Sequence, residues 1–126
     1  MNVPEDLHYT DEHEWIRQVG EGRVRLGITD YAQDQLGDVV YVELPEVGRE
    51  VAREDLVVEI ESTKSVGEVY APFAGTISAA NEAVAGSPEL VNTSPYEDGW
   101  LVELDLADGF TGEGLLDAAA YRDLTE

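Results

Sequence analysis

Lys64 is the only lysine in the chain, and the other six basic residues are all arginines. An amine can be acylated or form a Schiff base, whereas a guanidinium in practice does neither, so a lone lysine among arginines is the first candidate for covalent chemistry. The remaining side chains narrow the choice. With no cysteine, disulfide frameworks, thiolate metal sites and Cys nucleophiles are excluded together, and any thiol chemistry has to be brought by a cofactor. His8 and His13 are the only histidines and lack a third partner for a metal site. No Ser/His/Asp set or paired-histidine constellation supports a stand-alone enzyme.

The elements around Lys64 decide which chemistry suits it. Residues 56–61 and 66–71 read as two strands separated by the polar stretch Ser62-Thr63-Lys64-Ser65, which puts the lysine in the turn of a hairpin spanning about 56–71. An exposed turn is the wrong place for a general base or Schiff-base nucleophile, because both need burial to lower the amine pKa. It suits an attachment point, since a modifying enzyme must reach around its target amine while the strands hold it still. Thr63 and Ser65 are small and uncharged, and Glu61 and Glu68 add negative charge that a basic enzyme surface can grip. These four residues are the expected recognition elements for an attachment enzyme.

Elsewhere the pattern is one of short strands. Residues 14–19 and 23–28 form a hairpin across Gly20-Glu21-Gly22, with Val24, Leu26 and Ile28 on one face. Thr29 then caps a short helix with Asp30 in its first turn, Ala32 and Leu36 on one side and Gly37 at its end. Strands are expected over 39–44, 76–80 and 100–106, with a loop over 81–88, a short segment at 90–92, and a loop over 93–99. Leu116, Ala120 and Leu124 predict a C-terminal packing helix over about 113–124. The spacing of apolar residues over 47–57 resembles that over 81–91, which suggests two similar β halves about the Lys64 hairpin. Seven or so strands at this spacing indicate a mostly β barrel or sandwich.

The 126 residues fit one domain, 1–126. A net charge of −21, from 28 acidic against seven basic residues, repels phosphate backbones and anionic lipid, so neither nucleic acid nor membrane is an expected partner. No apolar run approaches a membrane span and residues 1–6 do not resemble a targeting peptide, so a soluble cytoplasmic protein is expected. The acidic residues are spread through the chain as a solvated surface.

One family matches these residues. The run Val58-Glu59-Ile60-Glu61-Ser62-Thr63-Lys64-Ser65-Val66, followed by Val69-Tyr70-Ala71-Pro72, resembles the lipoyl-lysine hairpin of the glycine cleavage H-protein family. His13-Glu14-Trp15, Gly27-Ile28-Thr29-Asp30-Tyr31-Ala32-Gln33, Leu36-Gly37-Asp38-Val39-Val40, Val42-Glu43-Leu44-Pro45 and Ser87-Pro88-Glu89-Leu90-Val91-Asn92 resemble other blocks of that family, in its order. Pro95-Tyr96 and Gly99-Trp100 do so as well. The resemblance implies a barrel-sandwich hybrid like lipoyl and biotinyl domains, with added N-terminal strands and a C-terminal helix. It also implies that Lys64 carries lipoate in amide linkage and that the protein, a monomer, catalyses no step itself. Its implied partners are a pyridoxal-phosphate (PLP) glycine decarboxylase, a tetrahydrofolate-dependent aminomethyltransferase, an FAD dihydrolipoyl dehydrogenase and the lipoate attachment enzyme.

By the same resemblance, Glu14 lines a cleft for the arm and pairs with its aminomethyl cargo; otherwise it is an exposed strand carboxylate. Gln35, expected to line the same arm cleft as Glu14, stands where many family members have histidine, and Gly67-Glu68 where Ser-Asp is common. Trp15 and Trp100 are expected in the core or the cleft wall, and Asn92, Pro95, Tyr96 and Gly99 in a loop shaping the surface near the arm. The rivals are a biotinyl carrier, which normally has methionines where Thr63 and Ser65 stand, and an H-like lipoate relay or unmodified scaffold.

Overall fold

The computed structural model describes residues 2–112 and 114–125. After a two-residue strand β1 (His8–Tyr9), the chain forms β2 (Glu14–Gly20), β3 (Arg23–Ile28), α1 (Asp30–Leu36) and β4 (Val39–Glu43). Then come β5 (Glu50–Val51), β6 (Leu56–Ser62), β7 (Val66–Tyr70) and β8 (Gly75–Ala80). Two short helices α2 (Glu82–Gly86) and α3 (Leu90–Thr93) precede β9 (Val102–Leu106) and α4 (Ala118–Thr125). The strands form a six-stranded sheet, β1-β2-β3-β9-β8-β5, and a three-stranded sheet, β4-β6-β7. All neighbouring strands in the two sheets run antiparallel among the described residues.

Alternation explains the layers. Val24, Leu26 and Ile28 of β3, Val102 and Leu104 of β9 and Ile77 of β8 meet Val42, Val58, Ile60 and Val69 of the smaller sheet in one apolar core. A second cluster lies apart from it, where Tyr9, Trp15 and Tyr96 pack with Val3, Leu7, Ala118 and Tyr121. There α4 docks through a stacked Tyr9 and Tyr121, 4.7 Å between centroids. Each buried polar tip is paired: Trp15 Nε1 donates to the Pro95 carbonyl at 2.9 Å, and Tyr9 Oη to that of Pro4 at 2.7 Å.

Helix α1 forms as its sequence predicts. Thr29 Oγ1 accepts from the Ala32 amide at 3.2 Å, and Gly37 ends the helix at φ 82°. Other expectations need correcting. The loop expected over 81–88 contains α2, capped by Asn81, and the segment at 90–92 is helix α3. Their four- and five-residue length leaves too few apolar positions to declare a helical period. The 47–57 stretch carries the two-residue β5 while 81–91 is largely helical, so the similar apolar spacing does not become two similar β halves. The last strand starts at Val102, not Trp100. The C-terminal helix starts at Ala118, because Leu116 pairs as a bridge with Tyr9 and the Asp117 carboxylate takes the Ala120 amide at 2.8 Å. Glu113, the expected first residue of that helix, lies outside the described residues. None of the described helices is long and apolar enough to cross a membrane.

Gly27 shows how tightly the two clusters are joined. A Cβ there would lie 2.8 Å from Nε1 of Trp15, across the β2–β3 ladder. Gly27→Ala is expected to cost about 1–3 kcal/mol through overpacking against a rigid indole. Urea denaturation followed by Trp fluorescence checks this.

Candidate functional site

Four hydrogen bonds of Ser62 shape the turn that bears Lys64. The Ser62 amide donates to the Ser65 carbonyl at 2.8 Å, and Ser62 Oγ donates to the same oxygen at 3.0 Å. Ser62 Oγ also accepts from the amides of Lys64 (3.3 Å) and Ser65 (3.0 Å). The Thr63 amide donates to the Asp38 carbonyl at 3.0 Å, which fastens the turn to the link between α1 and β4. Thr63, Lys64 and Ser65 are exposed, so a rigid backbone presents a free side chain. The stem of Lys64 runs beside Gly37, where a Cβ would lie 3.2 Å from Lys64 Cε. Gly37 therefore serves both the helix end and the path of the lysine.

The two expected flanking acids are placed differently. Glu61 sits beside the turn, opposite Val66 on one side and Tyr41 on the other. Glu68 is not at the end of the turn: it stands further along β7, opposite Glu59, and lines a cleft instead. The reason is register, because β7 starts at Val66 and the pleat carries Glu68 two residues away.

That cleft, about 360 Å³, runs between α1 and β7. Ile28, Ala32, Leu36, Ile60 and Val69 give it an apolar lining, and Glu12, His13, Tyr31, Gln35 and Glu68 supply its polar groups. Gly67 makes the close approach possible: a Cβ would lie 3.1 Å from both Leu36 methyl carbons. From sequence this glycine reads only as added flexibility. In the structure it seats β7 against α1.

Glu14 is not an exposed strand carboxylate. It is 3% exposed, and it lines a separate pocket of about 300 Å³ with Thr10, Asp11, Glu12, Arg53 and Tyr70. Its Oε2 accepts from the Tyr70 amide at 2.9 Å and its Oε1 from Thr10 Oγ1 at 3.2 Å. Burial pushes its pKa up to about 7, against the two hydrogen bonds that favour the charged form. Glu14 and Gln35 thus line two different hollows, and Glu12 borders both. Trp15 is fully buried, Trp100 half-buried under the Arg25 guanidinium, 4.5 Å from its ring.

Glu12, His13 and Tyr31 escape the sequence reading as site residues. His13 adopts φ 68°, a left-handed conformation that its sequence does not announce. The block His13-Glu14-Trp15 was the available signal: His13 immediately precedes β2 and lines the α1–β7 cleft, while Glu14, the first residue of the strand, lines the other pocket.

With this geometry in view, comparison with known proteins is decisive. The glycine cleavage H-protein family matches the chain over residues 7–126. The chain belongs to that family. A glycine cleavage system H protein of Micrococcus luteus is 57% identical over 125 residues, covering 98% of each chain. One from Halorhodospira halophila is 51% identical over 122 residues, covering 97% of this chain and 94% of that relative. The crystal structure of a glycine cleavage system H protein from Mycobacterium marinum superimposes with a TM-score of 0.85 at 39% identity, covering 96% of this chain and 97% of that one. The mostly β build with its C-terminal helix is the family's lipoyl-domain-like barrel-sandwich fold. Membership makes the chain a component of the glycine cleavage system, its H-protein carrier, with other components of that system as partners.

The raised pKa of Glu14 gives stability a definite pH dependence. The folded state holds this proton more tightly than the unfolded chain, so the contribution is complete below about pH 4.5 and is lost as pH rises through about 7. Ionised and buried, the group costs on the order of 3 kcal/mol. Glu14→Gln is expected to be more stable than wild type at pH 8, with the difference closing toward pH 4.5, as measured by urea denaturation across that range.

Proposed function

We propose that this chain is the lipoyl-lysine carrier of the glycine cleavage system, a single domain over 1–126 that acts as a monomer in the cytoplasm and catalyses no step. The supporting observation is an exposed Lys64 on a tied-down turn, its stem beside Gly37 at the end of α1, together with a cleft between α1 and β7 that Leu36, the last residue of α1, helps to line. Residues present fit the group: a methylene chain ending in a dithiolane matches the lining of Ile28, Ala32, Leu36, Ile60 and Val69.

Lipoate held by Lys64 would supply a disulfide open to reductive aminomethylation at the PLP glycine decarboxylase, with the one-carbon unit then passing to tetrahydrofolate and ammonia leaving at the aminomethyltransferase, and the resulting dithiol being reoxidised at the FAD dihydrolipoyl dehydrogenase. The chain's own residues do the rest. The Ser62 and Asp38 contacts hold the attachment point, so tethering converts each transfer into an intramolecular encounter once a partner has docked. Glu61, Thr63, Ser65 and Glu68 offer the attachment enzyme small uncharged neighbours and negative charge. The α1–β7 cleft excludes water from one side of an arm laid along it. Glu14, in its own pocket, is the carboxylate available to a cationic end that passes Glu12.

Intact and peptide mass after expression in a host with lipoate and an attachment system tests this directly. A lipoyl increment on the Lys64 peptide is expected; a biotinyl increment moves the chain to carboxylases, and no increment while a known lipoyl domain is modified overturns the carrier reading. Lys64→Arg is expected to fold normally and lose all carrier activity. Glycine-dependent NADH formation by that variant in a reconstituted system would contradict it.

A further inference from the structure

A row of hydroxyls crosses the molecule from α1 to the cleft. Thr29 Oγ1 accepts from the Ala32 amide, lies 2.6 Å from Tyr121 Oη, and that oxygen lies 2.8 Å from His13 Nδ1. Thr29 and Tyr121 are fully buried, so no solvent takes part. Two directions are open to the protons. If Tyr121 donated to Thr29, the Thr29 hydroxyl would have no acceptor among the described residues. A buried hydroxyl without a partner is costly. In the other direction every group is satisfied: Thr29 donates to Tyr121, Tyr121 donates to His13 Nδ1, and the imidazole proton sits on Nε2.

The setting of His13 gives this direction a role. Its backbone is held at φ 68° by its amide donating to the Thr10 carbonyl at 3.2 Å and its carbonyl accepting from the Thr29 amide at 3.0 Å. Left-handed backbone at a non-glycine residue persists where its surroundings over-determine it. The ring lies 4.6 Å from that of Tyr31 on α1 and forms part of the cleft wall with Glu12 and Glu68.

We infer that His13 is a positioning residue of the cleft: the Thr29–Tyr121 relay fixes its imidazole as the neutral Nε2–H form, which leaves Glu12 and Glu68 free to hold a cationic group carried on Lys64. This rests on the carrier reading above. A protonated His13 would put positive charge on the same cleft wall and repel an ammonium. The titratable groups around the ring are Asp11 and Glu12 from its own turn, Tyr31 from α1, Tyr121 from α4 and Glu68 from β7. Desolvation lowers the His13 pKa despite the opposing charge of Asp11, in agreement with a neutral ring. The C-terminal helix is then more than a packing element, because its Tyr121 sets the state of a residue in the cleft.

Long-range ¹H–¹⁵N correlation spectra of the full, unlipoylated chain read the tautomer directly, and His8→Gln assigns the two histidines. Wild type is expected to show His13 as Nε2–H at pH 7.5. In Tyr121→Phe the Nδ1–H form is expected to appear and the ring to titrate at a higher pH than in wild type. Thr29→Ser, which keeps the hydroxyl, is expected to behave as wild type, and so is Thr29→Val, in which His13 Nδ1 remains the only acceptor for Tyr121; should Tyr121→Phe not fold, the wild-type tautomer itself decides the direction of the relay. On the lipoylated chain loaded with aminomethyl, Tyr121→Phe is expected to lose the amine about twofold to fivefold faster than wild type at pH 6 and equally fast at pH 8. An Nδ1–H ring in wild type, or a Tyr121→Phe chain with unchanged tautomer or unchanged amine retention, would overturn the inference. Failure of Lys64 to accept lipoate would bring down the carrier reading and the role argued for His13 with it, while the tautomer measurement would stand apart.

Discussion

The side-chain amide of Asn92 holds the ground on which the Lys64 turn rests. Its Oδ1 accepts from the Val39 amide at 2.8 Å, and its Nδ2 donates to the Gly37 carbonyl at 2.9 Å and to Gln33 Oε1 at 3.0 Å. Three bonds from one partly buried amide fix the end of α1, the start of β4 and the carbonyl-bearing link between them. Asp38 lies in that link, and its carbonyl receives the Thr63 amide. Turn, helix and cleft are thereby made one body. Without this clamp a hairpin tip would carry its own motion into the position of the lysine, and the cleft beside Gly37 would lose its fixed relation to the arm's origin.

Charge is distributed to match. Among the described residues, the four ion pairs belong to the six-stranded sheet and the terminal segments: Arg17 with Glu97, Arg23 with Asp105, Arg25 with Glu103 and Arg122 with Glu5. The three-stranded sheet has none of them. Across it Glu43, Glu59 and Glu68 stand in register on adjacent strands, an arrangement in which like charges directly opposite one another oppose folding. Glu43 and Glu68 are exposed and Glu59 half-buried, so water screens the two outer carboxylates and keeps the cost small. Glu14 shows the opposite case, a carboxylate withdrawn from water and kept near neutrality by that withdrawal. A net charge of −21 is thus neutralised in part on one sheet and left standing around the lysine on the other.

What could be read from the sequence was local. The turn 62–65, the Thr29 cap and the Gly37 stop each declare themselves through residues within four positions, and the structure has all three. The two-residue strands β1 and β5 are too short to show alternation, and Asn81 announces a cap that is noticed only once the following turn is known to be helical. At the site, the exposed lysine was legible while its surroundings were not. Glu14 looks like any strand carboxylate until the Tyr70 amide, 56 residues away, and the Thr10 hydroxyl close over it. Likewise, Gly67 is placed by Leu36 of another element, and His13 meets Tyr121 across 108 residues. Contacts of that separation are properties of the closed fold, and no spacing within one segment encodes them.

The same closure reconciles two demands on the Lys64 region. A carrier needs its attachment point rigid, so that docking fixes where the arm begins, and it needs the side chain beyond that point free to leave. Backbone hydrogen bonds meet the first demand: the Ser62 side chain and the Asp38 carbonyl satisfy the amides of residues 63–65 without touching the lysine amine. Absence of a side chain meets the second. Gly37 lets the stem pass close to the backbone, and Gly67 lets β7 approach Leu36 of α1, so that both elements contribute to the lining of the cleft. Apolar contact is non-directional and scales with area, so it can retain an arm that lies along the cleft and still release it when a partner offers more surface or better-placed charge. A directional bond to the arm's middle would hold it more firmly and exchange it less readily, whereas Ile28, Ala32, Leu36, Ile60 and Val69 offer the arm apolar surface alongside the cleft's polar groups.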